Sequence, residues 1–300
     1  MEPVRVTFRA MACAHKLALW HADAAHARRI AEAVVADVHR IEAKYSRYRD
    51  DSVVSVINRS AGRAPVPIDP ETVALLRYGA AVHELSGGRF DVTSGVLRRV
   101  WDWKRAPPVL PDSAALAAAV ALIGWGQVEL DDASVRLPRP GMEIDFGGIG
   151  KEYAADRAAA ICLDGGIVHG LVNLGGDVRV VGPRPDGSRW RIGIRHPRRD
   201  GEAIAAIELA DGAVATSGDY ERFVEIDGRR YCHLLDPATG WPVDHWQSIT
   251  VVAPLCVVAG SHATAAMLAG PGAVALLVDA SLRWLGVDAS GALAGSLTAG

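Results

Sequence analysis

Glu143-Ile-Asp-Phe-Gly-Gly-Ile-Gly-Lys-Glu-Tyr-Ala-Ala-Asp-Arg157 is the stretch on which the reading of this chain turns. Its leading residues, with Met142, predict a short strand over Met142–Phe146 that delivers Asp145. Glycines 147, 148 and 150 predict a tight turn, and a helix is expected from Lys151 to Leu163. Glycine permits positive φ and close approach of backbone, and a helix N-terminus offers free N–H groups to an anion. The spacing Gly147-Gly148-Ile149-Gly150 is not the G-x-G-x-x-G dinucleotide fingerprint, and its surroundings do not alternate strand with helix. On its own the segment reads equally well as an anion-binding turn or as a structural strand–helix connection.

Outward from that turn the two halves of the chain differ. Before it, residues 4–20 alternate as a strand pair or one long bent strand. Ala24–Tyr45 repeats Ile30, Val34, Val38 and Ile41 at helical steps. Val53–Asn58 predicts a short helix, and Pro70–Ser86 a longer one stopped by Gly87-Gly88. Ser113–Ile123 predicts an alanine-rich helix capped by Ser113. After the turn, short alternating runs predict strands, including 171–174, 178–181, 203–209, 213–217 and 248–253. A helix is expected near Ala259–Leu268, and strands over Ala273–Val278 and Arg283–Val287. Leading helices followed by hairpin-linked strands give an α+β class with a mostly antiparallel sheet, read as a single domain over residues 1–300.

Half of the 300 residues are hydrophobic and the formal net charge is -3. Such a chain can bury a sizeable core, and it has no electrostatic reason to bind nucleic acid or a lipid surface. Cys13, Cys162, Cys232 and Cys256 lie far apart in sequence and read as free thiols rather than as a metal site. No run of about 18 uninterrupted apolar residues occurs, so no membrane span is expected. The N-terminus lacks the apolar core of a secretory signal. As given, the chain is expected to be cytoplasmic, or periplasmic if an export signal has been trimmed.

Two further polar clusters accompany the glycine turn. Asn173-Leu-Gly-Gly-Asp177 reads by itself as a hairpin turn. Ala215-Thr-Ser-Gly-Asp-Tyr220 and Tyr231-Cys-His-Leu-Leu-Asp-Pro-Ala-Thr-Gly240 gather polar groups at strand ends, with His233 either a core histidine or a functional one.

Taken together, these segments resemble the ApbE family of FAD:protein FMN transferases. Tyr45–Asn58 is similar to an early aromatic–polar box, and Gly88-Arg-Phe-Asp-Val-Thr-Ser-Gly95 to G-x-F-D-x-T-x-G. Asp145–Arg157 is similar to D-x-x-G-x-x-K-G-Y-x-x-D, and Leu171–Asp177 to V-N-x-G-G-D. Ala215–Tyr220 matches A-T-S-G-D-Y, and His233–Gly240 matches H-x-x-D-P-x-T-G.

The resemblance implies an α+β, T-fold-like architecture with FAD in a cleft between two subregions. It implies transfer of FMN from FAD to a Thr or Ser hydroxyl of an acceptor protein, with AMP leaving and Mg2+ assisting. Carried over by position, flavin contacts fall to Met11, Tyr48, Arg89, Phe90, Asp91, Asp145, Lys151 and Leu234. His233 takes the role of base, while the Gly148 carbonyl and Thr264 hold the metal. Asp145 is left between adenine, ribose and a metal-bound water. FAD hydrolysis to FMN and AMP, and flavin binding without catalysis, stand as the alternatives.

Two positions depart from the pattern. The late box A-D-x-x-x-T reads Ala259-Gly260-Ser261-His262-Ala263-Thr264, with glycine where Asp belongs, and Glu152 stands where the family has Gly. Ser261, His262, Asp244, Asp145 and Glu152 are the candidates to make good the missing carboxylate.

Overall fold

In the computed structural model, which describes residues 2–297, the alternating N-terminal stretch folds back as two strands, Val4–Ala10 and Cys13–Trp20. Met11 and Ala12 close this hairpin with φ of 49° and 63°. A two-residue loop that follows strand twist requires that left-handed conformation, which costs a non-glycine residue on the order of 1–3 kcal/mol. The Met11 N–H, donating to Glu42 Oε1 at 2.5 Å, offsets part of that cost.

The hairpin begins an eight-stranded sheet. In spatial order it continues through His169–Leu174, Asp177–Val181, Gly212–Gly218, Trp246–Ala253, Arg283–Asp288 and Leu293–Ala294, every neighbouring pair antiparallel. This is the α+β class that the order of helical and alternating segments implies.

Seven α-helices occur among the described residues: α1 (Ala24–Tyr45), α2 (Val53–Arg59), α3 (Pro70–Leu85), α4 (Ser113–Val120), α5 (Gly150–Asp164), α6 (Cys256–Ala269) and α7 (Ala273–Asp279). The period read from α1 places Val34, Val38 and Ile41 in the core, each burial worth roughly 1.5–3 kcal/mol. Asp69 caps α3 by accepting from Thr72 N–H, Pro70 opens its first turn, and Gly87 at φ 62° follows its end. The cap of α4 is Asp112, which accepts from Ala115 N–H, rather than Ser113.

Two expected strands do not form. Met142–Phe146 is extended but belongs to no sheet. Its backbone is satisfied instead by the Asn58 side chain, which donates to Ile144 O and accepts from Ile144 N–H, and by Val92 O, which accepts from Asp145 N–H. Ala273–Val278 is helical within α7. Ala273 and Leu277, four residues apart, are buried, while Val274 and Val278 are exposed, a helical rather than an alternating division.

Helices α5 and α6 pack together against the sheet, α6 lying on the Gly212–Gly218 and Trp246–Ala253 strands. Small residues line both: Ala154, Ala155, Ala158 and Ala159 on α5, and Ala259, Gly260, Ala263 and Ala266 on α6 are all buried. By length and composition Cys256–Asp279 is long and apolar enough to cross a membrane, and 61% of its apolar window is buried inside this fold.

Candidate functional site

The glycine turn at 147–150 is held from beneath by Asp145. Its Oδ1 accepts from Gly147 N–H at 2.9 Å, and its Oδ2 lies 3.0 Å from Arg47 Nη1 and 3.1 Å from Arg98 Nε. Arg47 extends to Glu143 Oε2 at 3.2 Å, where Arg99 also binds. The Gly88–Gly95 box comes here for a steric reason: a Cβ at Gly95 would lie 2.9 Å from Asp145 Cβ. Two guanidinium groups thus face one carboxylate beside the N-terminus of α5.

Lys151, in the first turn of α5, forms an ion pair with Asp177 across from the strand that begins there. Burial disfavours the ammonium, but Asp177, and Glu152 after it, outweigh that penalty and raise the pKa of Lys151, so it stays charged. Burial pushes Asp177 the other way, upward, against the pull of Lys151. The hairpin glycine Gly175 gives room: a Cβ there would meet Cys13 Sγ at 2.6 Å and Lys151 Cδ at 3.4 Å. The Asn173–Asp177 segment is therefore a hairpin turn that also supplies the counter-ion of the candidate phosphate-binding lysine.

His233 lies just past the Arg229–Cys232 strand, its backbone N–H donating to Arg222 O at 3.0 Å and its ring Nδ1 at 3.3 Å from the same carbonyl. An Nδ1–H donated to that carbonyl leaves the lone pair on Nε2. Burial, then the charges of Arg222 and Arg98, lower its pKa to about 4. The ring is neutral at pH 7, well below the ordinary histidine range.

On α6, Thr264 Oγ1 and Ser217 Oγ are 2.8 Å apart. Gly148 abuts the same region: a Cβ there would meet the Phe90 ring at 2.8 Å and Thr264 Cγ2 at 4.0 Å. One turn earlier, the space at Gly260 is taken by Glu152. An added Cβ would lie 2.4 Å from Glu152 Cγ and 3.0 Å from Oε1. Glu152 is 6% exposed, its Oε2 has no hydrogen-bond partner, and burial, followed by the charge of Asp177, raises its pKa to about 7. Ser261, His262 and Asp244 are engaged elsewhere: Ser261 Oγ with Tyr78 OH at 2.8 Å, His262 Nδ1 with Val258 O at 2.8 Å, and Asp244 with Arg229 at 3.0 Å.

Asp145, Lys151, His233, Gly148, Phe90 and Thr264 thus share one neighbourhood, linked through Arg98, Asp177 and Ser217. Other expected residues sit differently. Tyr48 is 77% exposed and Arg89 is exposed. Leu234 is buried among Ala215, Cys232 and Trp246. Asp91 is buried with both oxygens engaged, Oδ1 by Thr93 N–H and hydroxyl at 2.7 and 2.6 Å, and Oδ2 by Trp125 N–H at 3.0 Å. Sequence reading gave no site role to Arg47 and Asp177, though both lie in its motif boxes, and passed over Arg98 and Arg222. Arginines are frequent in this chain, and no local pattern distinguishes those that converge on the turn. Among the described residues no group of three or more His, Cys, Asp or Glu is gathered to hold a metal ion. Hydroxyls, carbonyls and single carboxylates are the donors present.

The ApbE family model matches residues 4–285. An FAD:protein FMN transferase of Klebsiella pneumoniae is 35% identical over 231 residues, covering 76% of this chain and 71% of that relative. One of Treponema pallidum is 34% identical over 242 residues, covering 75% and 67%. The crystal structure of the ApbE protein of Thermotoga maritima superposes with a TM-score of 0.92 at 34% identity, covering 99% of this chain and 98% of that one. The flavin transferase ApbE of Vibrio cholerae gives 0.88 at 26% identity, covering 98% and 96%.

Proposed function

The chain belongs to the ApbE family, and we propose that it transfers FMN from FAD to a Thr or Ser hydroxyl of an acceptor protein, releasing AMP. Relatives similar over most of their length are named for transfer of FMN from FAD to protein. The single observation in this chain that carries the reading is the cluster of cations, each paired with a carboxylate, around the glycine turn. Lys151, Arg98 and Arg47 meet Asp145 and Asp177 at the N-terminus of α5, and the phosphates of a pyrophosphate can take up those cations in place of the carboxylates.

In the step itself, the acceptor oxygen bonds to the FMN-side phosphorus as the bond from that phosphorus to the AMP oxygen breaks. His233 Nε2 takes the hydroxyl proton. Its depressed pKa keeps it unprotonated at neutral pH, and an anionic substrate beside Arg98 and Arg222 would raise its basicity as it binds. Mg2+, when bound, would neutralise charge on the phosphates. The Thr264 hydroxyl, paired with Ser217, and the Gly148 carbonyl would hold it, and the Glu152 oxygen without a hydrogen-bond partner supports this reading as a further hard donor.

Met11, Tyr48, Arg89, Phe90 and Leu234 are assigned to the flavin by their motif positions, and of these Phe90, against Gly148, lies at the glycine turn. Asp91 acts by fixing the loop that carries Phe90 through its carboxylate rather than by touching the flavin.

The test is to incubate the full chain with FAD and Mg2+, with and without a threonine-bearing acceptor, and to quantify AMP and free FMN by chromatography. Acceptor-dependent AMP without matching free FMN is the expected result. Equal AMP and FMN without acceptor would make the protein a hydrolase, and neither product would make it a binding protein.

A further inference from the structure

Glu152 is a buried carboxylate without a sufficient partner. It projects from the first turn of α5 into the seam with α6, is 6% exposed, and has one oxygen shut away from both solvent and hydrogen-bond donors. Such a group is strongly disfavoured unless a proton or cation satisfies it. The nearest ammonium, Lys151, is already paired with Asp177, itself buried. Asp156, one turn along α5, is engaged by Cys256 and Val257 N–H groups and by Arg179. Two carboxylates, Glu152 and Asp177, therefore share one lysine, which leaves one negative charge over.

The site is also shaped for this side chain. Only glycine at 260 leaves room for it, since any Cβ would stand 2.4 Å from Glu152 Cγ. Residues four apart on a helix share a face, with Cβ atoms about 5–6 Å apart, so Thr264 stands one turn along α6 from the glycine that Glu152 covers, and its hydroxyl is 2.8 Å from Ser217 Oγ. Carboxylate and hydroxyl oxygens are hard donors, the kind Mg2+ and Mn2+ take together with substrate phosphates.

We propose that Glu152, housed by Gly260, is the carboxylate ligand of the divalent-cation site, so that helix α5 rather than α6 supplies the charge in this chain. This rests on the reading of a metal-assisted transfer given above. The substitution Gly260→Asp bears on it directly. Alone, that substitution places a second side chain where Glu152 already lies, and it should weaken rather than strengthen cation binding.

The experiment titrates Mn2+ into the full chain, with and without FAD, and follows loss of the free-ion EPR signal. It compares the parent with Glu152→Gln, Gly260→Asp, and the double variant Glu152→Gly/Gly260→Asp, with thermal unfolding to check folding. Glu152→Gln should weaken Mn2+ binding by at least about tenfold while FAD binding without metal persists. Gly260→Asp alone should also weaken it, and the double variant, which moves the carboxylate to the other helix, should recover most of the loss. Equal Mn2+ binding by parent and Glu152→Gln overturns the proposal, as does a parent that takes up no Mn2+ or a folded double variant that takes up none. Flavin on an acceptor is scored separately. Transfer with Mn2+ binding unaffected by Glu152→Gln sinks this assignment alone, whereas Glu152-dependent Mn2+ binding without any transfer sinks the transferase reading alone.

Discussion

Asp91 and His233 show how differently polar residues of two motifs are used. Asp91 accepts three hydrogen bonds while buried, so its removal orphans the Thr93 and Trp125 N–H groups. Asp91→Ala should cost about 2–4 kcal/mol of stability, read as a lowered midpoint in urea. A midpoint equal to the parent's would mean that the loop does not depend on it. His233, by contrast, is held through one backbone carbonyl and keeps Nε2 free. His233→Ala should lower transfer by on the order of 10²–10⁴ with FAD affinity kept, and transfer at the parent rate would return it to the status of a core residue. Because a base works only when unprotonated, the rate rises with pH through its pKa. The acid limb of kcat/KM should therefore fall near pH 4 rather than in the ordinary histidine range, since burial and Arg222 depress the group. A limb near 6.5 in the free enzyme would contradict the crowding of cations around the ring.

At the scale of elements, α5 does three things from its first two turns. Its N-terminus meets the glycine loop, Glu152 fills the gap at Gly260, and Asp156 caps α6, accepting from Cys256 N–H at 2.8 Å and Val257 N–H at 2.9 Å. Helix α6 has no capping side chain of its own at Leu255, so the cap is supplied by its neighbour. Asp156→Asn should lower stability by about 1–2 kcal/mol, and thermal unfolding of the variant measures it. Glu152 gives a pH signature in metal-free protein. Its folded pKa is raised to about 7 from an ordinary 4.5, so its contribution is fully present below about pH 4.5 and lost as pH rises through 7. The groups around it, Asp177, Lys151 and Asp156, are common to parent and variant. In EDTA the melting temperature of the parent should fall more between pH 5 and pH 8 than that of Glu152→Gln, and parallel curves would show that the carboxylate is not burdened.

The same helices show what the sequence could announce. Periodicity gave α1 and α3 nearly to the residue, because one face of each is buried and the other wet. It failed at Ala273–Val278, an apolar run too short to separate strand from helix, and at Met142–Phe146, where Asn58 replaces a sheet neighbour.

Across the whole molecule, the motif boxes converge because antiparallel neighbours bring distant turns together. Asp177 meets Lys151, Ser217 meets Thr264, and Gly95 packs on Asp145. Order and spacing made the family legible, and with it the α+β sheet. The relation between Glu152 and Gly260 was visible only as two separate departures, since it depends on two helices 108 residues apart in sequence meeting side by side. The arginines around Asp145 were illegible for the same reason: their partners are set by packing, not by local pattern. These parts serve one act, the passage of FMN to another protein, and the intact mass of the acceptor tests it most directly. After incubation with FAD, Mg2+ and parent enzyme, a threonine-bearing acceptor should gain the mass of one FMN less one water, and it should gain none with His233→Ala. An acceptor of unchanged mass beside free FMN and AMP would contradict the account.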